Sequence, residues 1–185
     1  GNRGGCMEVL LCTGVCTIAA MNDMATPSVS LEGKNLWLAQ SLPVTPWQVL
    51  RAKLKVQLAL TAIPALVPLV CVALVLPLTP ALPLIFVTAL SYIVFSACLG
   101  LTLGVIRANL TWTNELAPVK QSLAVAIAMF GGWAYALLLA GLYLLLGWRI
   151  GAAVYLALVS AATIAAALAL LKWLKTKGAQ RLAAL

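Results

Sequence analysis

The chain has 185 residues, 64% of them hydrophobic and only 9% charged, and its mean hydropathy is +1.07. Soluble domains carry about 25% charged residues. No soluble core of this length hides so much apolar surface, so composition excludes a soluble protein and demands a chain that crosses a membrane several times. The net charge of +8 arises from twelve Lys and Arg against four carboxylates, with no histidine. These cations cluster between apolar runs, where they report membrane orientation rather than contact with nucleic acid.

The chain opens GNRGG, without an initiating Met or the ordered regions of a signal peptide. The first apolar run, residues 9–21, is uncharged over 13 residues, short for a crossing of about 20. It reaches adequate length from residue 5, which places a first span over 5–21. Its clipped appearance suggests a fragment of a longer protein. Glu8 is the one candidate for an acidic or basic residue within a span; its end position and its neighbour Arg3 suit the interface instead. The five cysteines, Cys6, Cys12, Cys16, Cys71 and Cys98, form no CxxC pair and have no histidine to complete a metal set. They read as small buried hydrophobes.

Residues 22–55 form a polar, basic loop with two short amphipathic helices. Ser30 can cap a helix starting at Leu31, whose apolar face holds Leu31, Leu38 and Leu42. Pro43 ends that helix, because the residue before a proline avoids the α region. Thr45, Pro46 and Gln48 start the second: Thr45 caps, Pro46 suits the first helical position and Gln48 completes a capping box. Trp47, Leu50, Leu54 and Leu58 form its apolar stripe, and it should run on into the next span. The pair of helices can lie on the membrane surface or act as a lever pressed by a cytoplasmic partner.

No charge occurs over residues 56–106, and the proline-rich 77–83 divides this run into spans at 56–76 and 81–106. Further spans cover 123–146 and 151–171. The fold class is therefore all-α: a single polytopic transmembrane bundle of about five spans, with loops at 22–55 and 107–122 and a tail at 172–185. Ten of the twelve cations then fall on one side, leaving only Arg3 and Arg149 on the other. The positive side faces the cytoplasm, so the C-terminus is expected there. Trp37, Trp47, Trp112, Trp148 and Trp173 sit at span ends, as interfacial rings do; Trp133 lies deep in a span, where packing and substrate contact are both open readings. Ser96, Gly100 and Gly104 recur every fourth residue, as do Ala153, Ala157, Ala161, Ala165 and Ala169. Such rows let helices approach closely, within the subunit or across a dimer seam. Pro64 and Pro68 interrupt the second span, as a fixed bend or a point of movement.

The segments Glu32-Gly33-Lys34, Leu36-Trp37-Leu38, Ser41-Leu42-Pro43-Val44-Thr45, Val49-Leu50 and Lys53 resemble the cytoplasmic signature of bacterial ABC exporter permeases. Trp112-Thr113-Asn114-Glu115 with Val119-Lys120-Gln121-Ser122 is similar to the second cytoplasmic loop of an exporter subfamily common in Gram-positive bacteria. The tail Lys177-Gly178-Ala179-Gln180-Arg181 and Leu185 resembles that subfamily's C-terminus. The resemblance implies a permease subunit of the bacterial cytoplasmic membrane, of which this shorter chain would be the C-terminal part, with further spans before residue 1. It implies ABC ATPase partners that carry the ATP and Mg, and a second copy or a paralogous permease. The expected docking residues are Glu32, Gly33, Lys34, Trp37, Leu38, Leu42 and Pro43, supported by Trp112, Asn114, Glu115 and Lys120 in the second loop.

The chain itself has no Gly-rich phosphate loop with Lys and Ser or Thr, no histidine and no paired carboxylates in a span. No catalytic, cofactor or metal role is expected of it. The scarcity of ionisable groups in the spans speaks against a self-energised pump. The competing readings are a secondary transporter and a membrane assembly factor with no transport activity.

Overall fold

A computed structural model describes residues 2–35, 41, 43–75, 81–108 and 123–184. Six helices carry the architecture: α1 (Asn2–Ala20), α2 (Ala25–Ser28), α3 (Pro46–Val75), α4 (Ala81–Ile106), α5 (Leu123–Leu142) and α6 (Ala152–Trp173). A 3-10 stretch, Ser30–Asn35, follows α2. A π turn at Tyr143–Gly147 extends α5, and another at Leu174–Gly178 carries α6 on to a last helical turn at Ala179–Ala183. Five segments are long and apolar enough to cross a membrane: Gly5–Ser28, Pro46–Val75, Ala81–Ile106, Leu123–Leu146 and Ala152–Ala183. With no strand among the described residues, the chain is an all-α bundle of five membrane-spanning segments.

A bilayer leaves backbone groups no water to bond, so each span satisfies them internally. Hydroxyls follow the same rule. Thr13, Thr17, Thr88, Thr102 and Thr163 each donate to the carbonyl four residues earlier, at 2.7–2.8 Å. Links between helices are few and specific: Tyr155 donates to the Leu139 carbonyl at 2.6 Å, and the hydroxyls of Tyr135 and Thr163 lie 2.7 Å apart.

Helix α4 is the central element. It packs against α1, α2, α3, α5 and α6, most extensively against α6. One apolar core joins α1, α3, α4 and α6 through Val9, Cys16, Leu69, Ile85, Tyr92 and Leu156. A second core, made of Val29, Leu50, Leu101, Val105, Leu174 and Leu182, closes the end where the cations gather. The α5–α6 connection turns at Gly151, whose φ of +85 and ψ of 149 fall where residues with a Cβ are strained.

Three features differ from the sequence reading. The first span does not stop at residue 21. It unwinds over Asn22, Asp23 and Met24 and resumes as α2, with Ala25, Thr26 and Pro27 buried. Only part of the α6 alanine row packs within the chain: Ala153 and Ala157 are half-buried, Ala161, Ala165 and Ala169 are exposed, and the buried face is carried by Ala152, Leu156, Ser160, Thr163 and Ala167. The contact with α4 uses this face of mixed residue size beside the alanine row. Finally, Cys71 is exposed on α3, whereas Cys12, Cys16 and Cys98 are buried as expected.

Candidate functional site at the basic end of the bundle

At 1.5 Å per residue, α3 is about 45 Å long and the α6 segment about 48 Å, against a hydrocarbon core of about 30 Å. Both therefore exceed the hydrocarbon thickness, and their basic ends project side by side. The stripe read from the sequence glues the projections together: Leu50 and Leu54 are buried against Leu174 and Leu182, with Trp47 and Trp173 packed at the margin. Thr45 and Gln48 exchange both capping-box bonds. The Thr45 amide donates to Gln48 Oε1 at 2.8 Å, and the Gln48 amide donates to Thr45 Oγ1 at 3.4 Å. Outside this apolar seam the surface is basic, with Arg51 and Lys55 on α3, Arg107 after α4, and Lys172, Lys175, Lys177 and Arg181 on the α6 extension all exposed.

Among these cations Lys53 points inward. Its Nζ lies 2.7 Å from Glu32 Oε1 and donates to the Ser28 carbonyl at 2.9 Å. The ion pair is half-buried, with side-chain exposures of 14% and 26%. Lys53 thus binds the 3-10 stretch and the end of α2 to α3. Beneath it, α2 presses on α4. Gly104 faces the backbone carbonyl of Thr26 at a distance that leaves no room for a Cβ, and a Cβ on Gly100 would meet Asp23 Oδ1 at 2.7 Å and Thr26 Oγ1 at 2.8 Å.

The break itself is a polar junction. Gln57 Nε2 donates to the Asn22 carbonyl at 2.7 Å and to Thr61 Oγ1 at 2.8 Å, while Gln57 Oε1 accepts the Met24 amide at 3.0 Å. Thr61 adds a bond to the Asn22 carbonyl at 3.3 Å. Both carboxylate oxygens of Asp23 accept from Thr26, one from its amide and one from its hydroxyl. No basic side chain forms an ion pair with Asp23 among the described residues.

Of the docking residues expected from sequence, Glu32 belongs to this tie, Gly33 and Lys34 continue the 3-10 stretch, and Pro43 is exposed ahead of α3. Trp37, Leu38 and Leu42 lie outside the described residues, as do Trp112, Asn114, Glu115 and Lys120 of the second loop. Gly100 and Gly104 pack within the chain, against α2, and Ser96 is half-buried one turn along. Glu8, near the start of the first spanning segment, is 8% exposed. Trp133 sits edge-on to Phe130, with ring centroids 5.8 Å apart, and packs against the first core. Sequence reasoning did not single out Asn22, Asp23, Gln57 or Thr61. The signal for the first two was the uncharged stretch from Met24 to Leu31, which continues the span past its polar interruption.

No protein-family model, curated protein or solved structure matches the chain. Fold and composition alone define its class, a multi-pass helical membrane protein.

Proposed function

We propose that the chain is the membrane-spanning permease subunit of an ATP-binding-cassette exporter of the bacterial cytoplasmic membrane, with ATP and Mg held by a separate ATPase subunit. The observation that carries this reading is the Lys53 tie. A partner pressing on the segment after Glu32 would load α3 through the ion pair and α4 through α2, because Lys53 holds both Glu32 and the Ser28 carbonyl. The basic end is then cytoplasmic, and closure of the ATPase subunits tilts the spans as rigid bodies. The segment signature given above supplies the partner's class. Co-expression with an ABC ATPase from the same source, followed by purification in detergent, tests the proposal. The two proteins should co-purify, and Glu32→Ala combined with Trp37→Ala should abolish the association while the permease stays folded. Recovery of a folded permease with no ATPase would overturn the reading.

One observation favours the secondary-transporter alternative. Asp23 places a carboxylate without a basic partner, among the described residues, inside the first spanning segment, and such groups commonly serve ion pathways. Uptake or release by proteoliposomes containing this chain and no ATPase would favour that alternative. Transport that requires the ATPase and survives Asp23→Asn would exclude it.

A further inference from the structure

Pro64 lies in the interior of α3. It has no amide hydrogen, so the carbonyl four residues earlier, that of Leu60, loses the helical bond it would otherwise accept. In a membrane such a freed carbonyl needs a donor from elsewhere. Asn22 provides it: its Nδ2 donates to the Leu60 carbonyl at 2.7 Å. Asn22 itself sits where the first span unwinds, and its own freed carbonyl accepts from Gln57 and Thr61 of α3. The unwound stretch thus satisfies the carbonyl released by Pro64, and side chains of α3 satisfy a carbonyl of the unwound stretch.

We propose that the Asn22 side-chain amide substitutes for the missing amide of Pro64, so that the break in the first span and the proline site in α3 form a single latched hinge. With the latch closed, the half of α3 that carries Lys53 is held in line with the unwound stretch and α2. With it open, that half pivots about Pro64 against residues 65–75. An apolar groove of about 480 Å³ between Leu11 and Val15 of α1 and Pro68 and Val72 of α3 lies beyond the pivot, so its width follows the latch. The inference depends on the two helices alone and not on the exporter reading.

Pro64 and Leu60 are exposed, outside the apolar core, so Pro64→Ala restores a backbone amide without opening a cavity. This permits a double-mutant cycle on the full chain in lipid nanodiscs, read by thermal unfolding and by amide hydrogen exchange over residues 57–68. Asn22→Ala alone should lower Tm by about 2–4 °C and raise exchange in this segment several-fold. In the Pro64→Ala background the restored backbone amide serves the Leu60 carbonyl. There the same Asn22→Ala change should leave both readouts where Pro64→Ala alone puts them. An equal loss in both backgrounds, or no effect of Asn22→Ala in either, overturns the proposal. If Asn22→Ala alone does not fold, recovery of a folded Asn22→Ala/Pro64→Ala chain supports the latch, and failure to recover it counts against the latch.

Discussion

Lys53 reaches two acceptors at once, Glu32 Oε1 at 2.7 Å and the Ser28 carbonyl at 2.9 Å. The two partners of this ion pair are therefore not equivalent. Losing the cation frees a half-buried carboxylate and a backbone carbonyl together, whereas losing the Glu32 charge still leaves Lys53 its bond to Ser28. Exposed pairs contribute about 0–1 kcal/mol and fully buried ones, once broken, about 3–5 kcal/mol. Lys53→Met is expected to cost about 1–2 kcal/mol, between those limits, and Glu32→Gln less than half as much. Thermal unfolding in detergent of both variants and the double variant checks the asymmetry; equal losses from the two single changes would contradict it.

The approach of α2 to α4 leaves no room for a methyl at Gly104, where the obstacle is the rigid Thr26 carbonyl. Overpacking of this kind costs about 1–3 kcal/mol. Gly104→Ala should therefore destabilise the chain and displace α2. Gly14 and Gly131 have open space where a Cβ would go, and alanine there gains up to about 1 kcal/mol of helix propensity. The three variants, compared by Tm, should separate in sign.

Gln57 is buried and serves two groups of the break, the Asn22 carbonyl and the Met24 amide, besides Thr61 of its own helix. Gln57→Leu preserves volume but leaves the Met24 amide without its acceptor. An unsatisfied buried donor costs about 1–3 kcal/mol. The variant should lose stability and show accelerated amide exchange over residues 21–28, with the α5–α6 pair unaffected. Uniform acceleration across all helices would instead mean that the break is not a separable unit.

At Gly151 the backbone adopts φ +85 and ψ 149, a region essentially closed to other residues. Gly151→Ala should cost about 1–3 kcal/mol through strain alone, because nothing lies within 4 Å of the added methyl. A circular-dichroism melt distinguishes this from a neutral loop substitution.

Much of the architecture was legible because a bilayer leaves few alternatives. Long uncharged runs became α4, α5 and α6 nearly to the residue, and the Thr45–Gln48 capping box is formed as its spacing implied. The stripe through Leu50 and Leu54 was also visible, but its partner was not. Helical periodicity marks an apolar face without saying whether lipid or Leu174 and Leu182 will cover it. The break at Asn22 and Asp23 was missed for a related reason. Polar residues after an apolar run ordinarily mark the end of a span, and only tertiary bonds from Gln57 and Thr61 permit an unwound stretch inside one. The alanine row on α6 misled because small residues license close approach without requiring it. Gly104 lies against the Thr26 carbonyl and Gly100 against the side chains of Asp23 and Thr26, whereas Ala161 and Ala165 are exposed.

The central claim is that the segment following Glu32 docks an ATPase rather than resting on lipid. A photo-crosslinking benzophenone amino acid in place of Trp37, irradiated in intact cells co-expressing an ABC ATPase from the same source, reads that contact directly. The expected product is an adduct between the permease and an ATPase carrying a Gly-rich phosphate loop, identified by mass spectrometry and diminished by Lys53→Met. Adducts to lipid alone, from a chain that is folded and inserted, would contradict the coupling role.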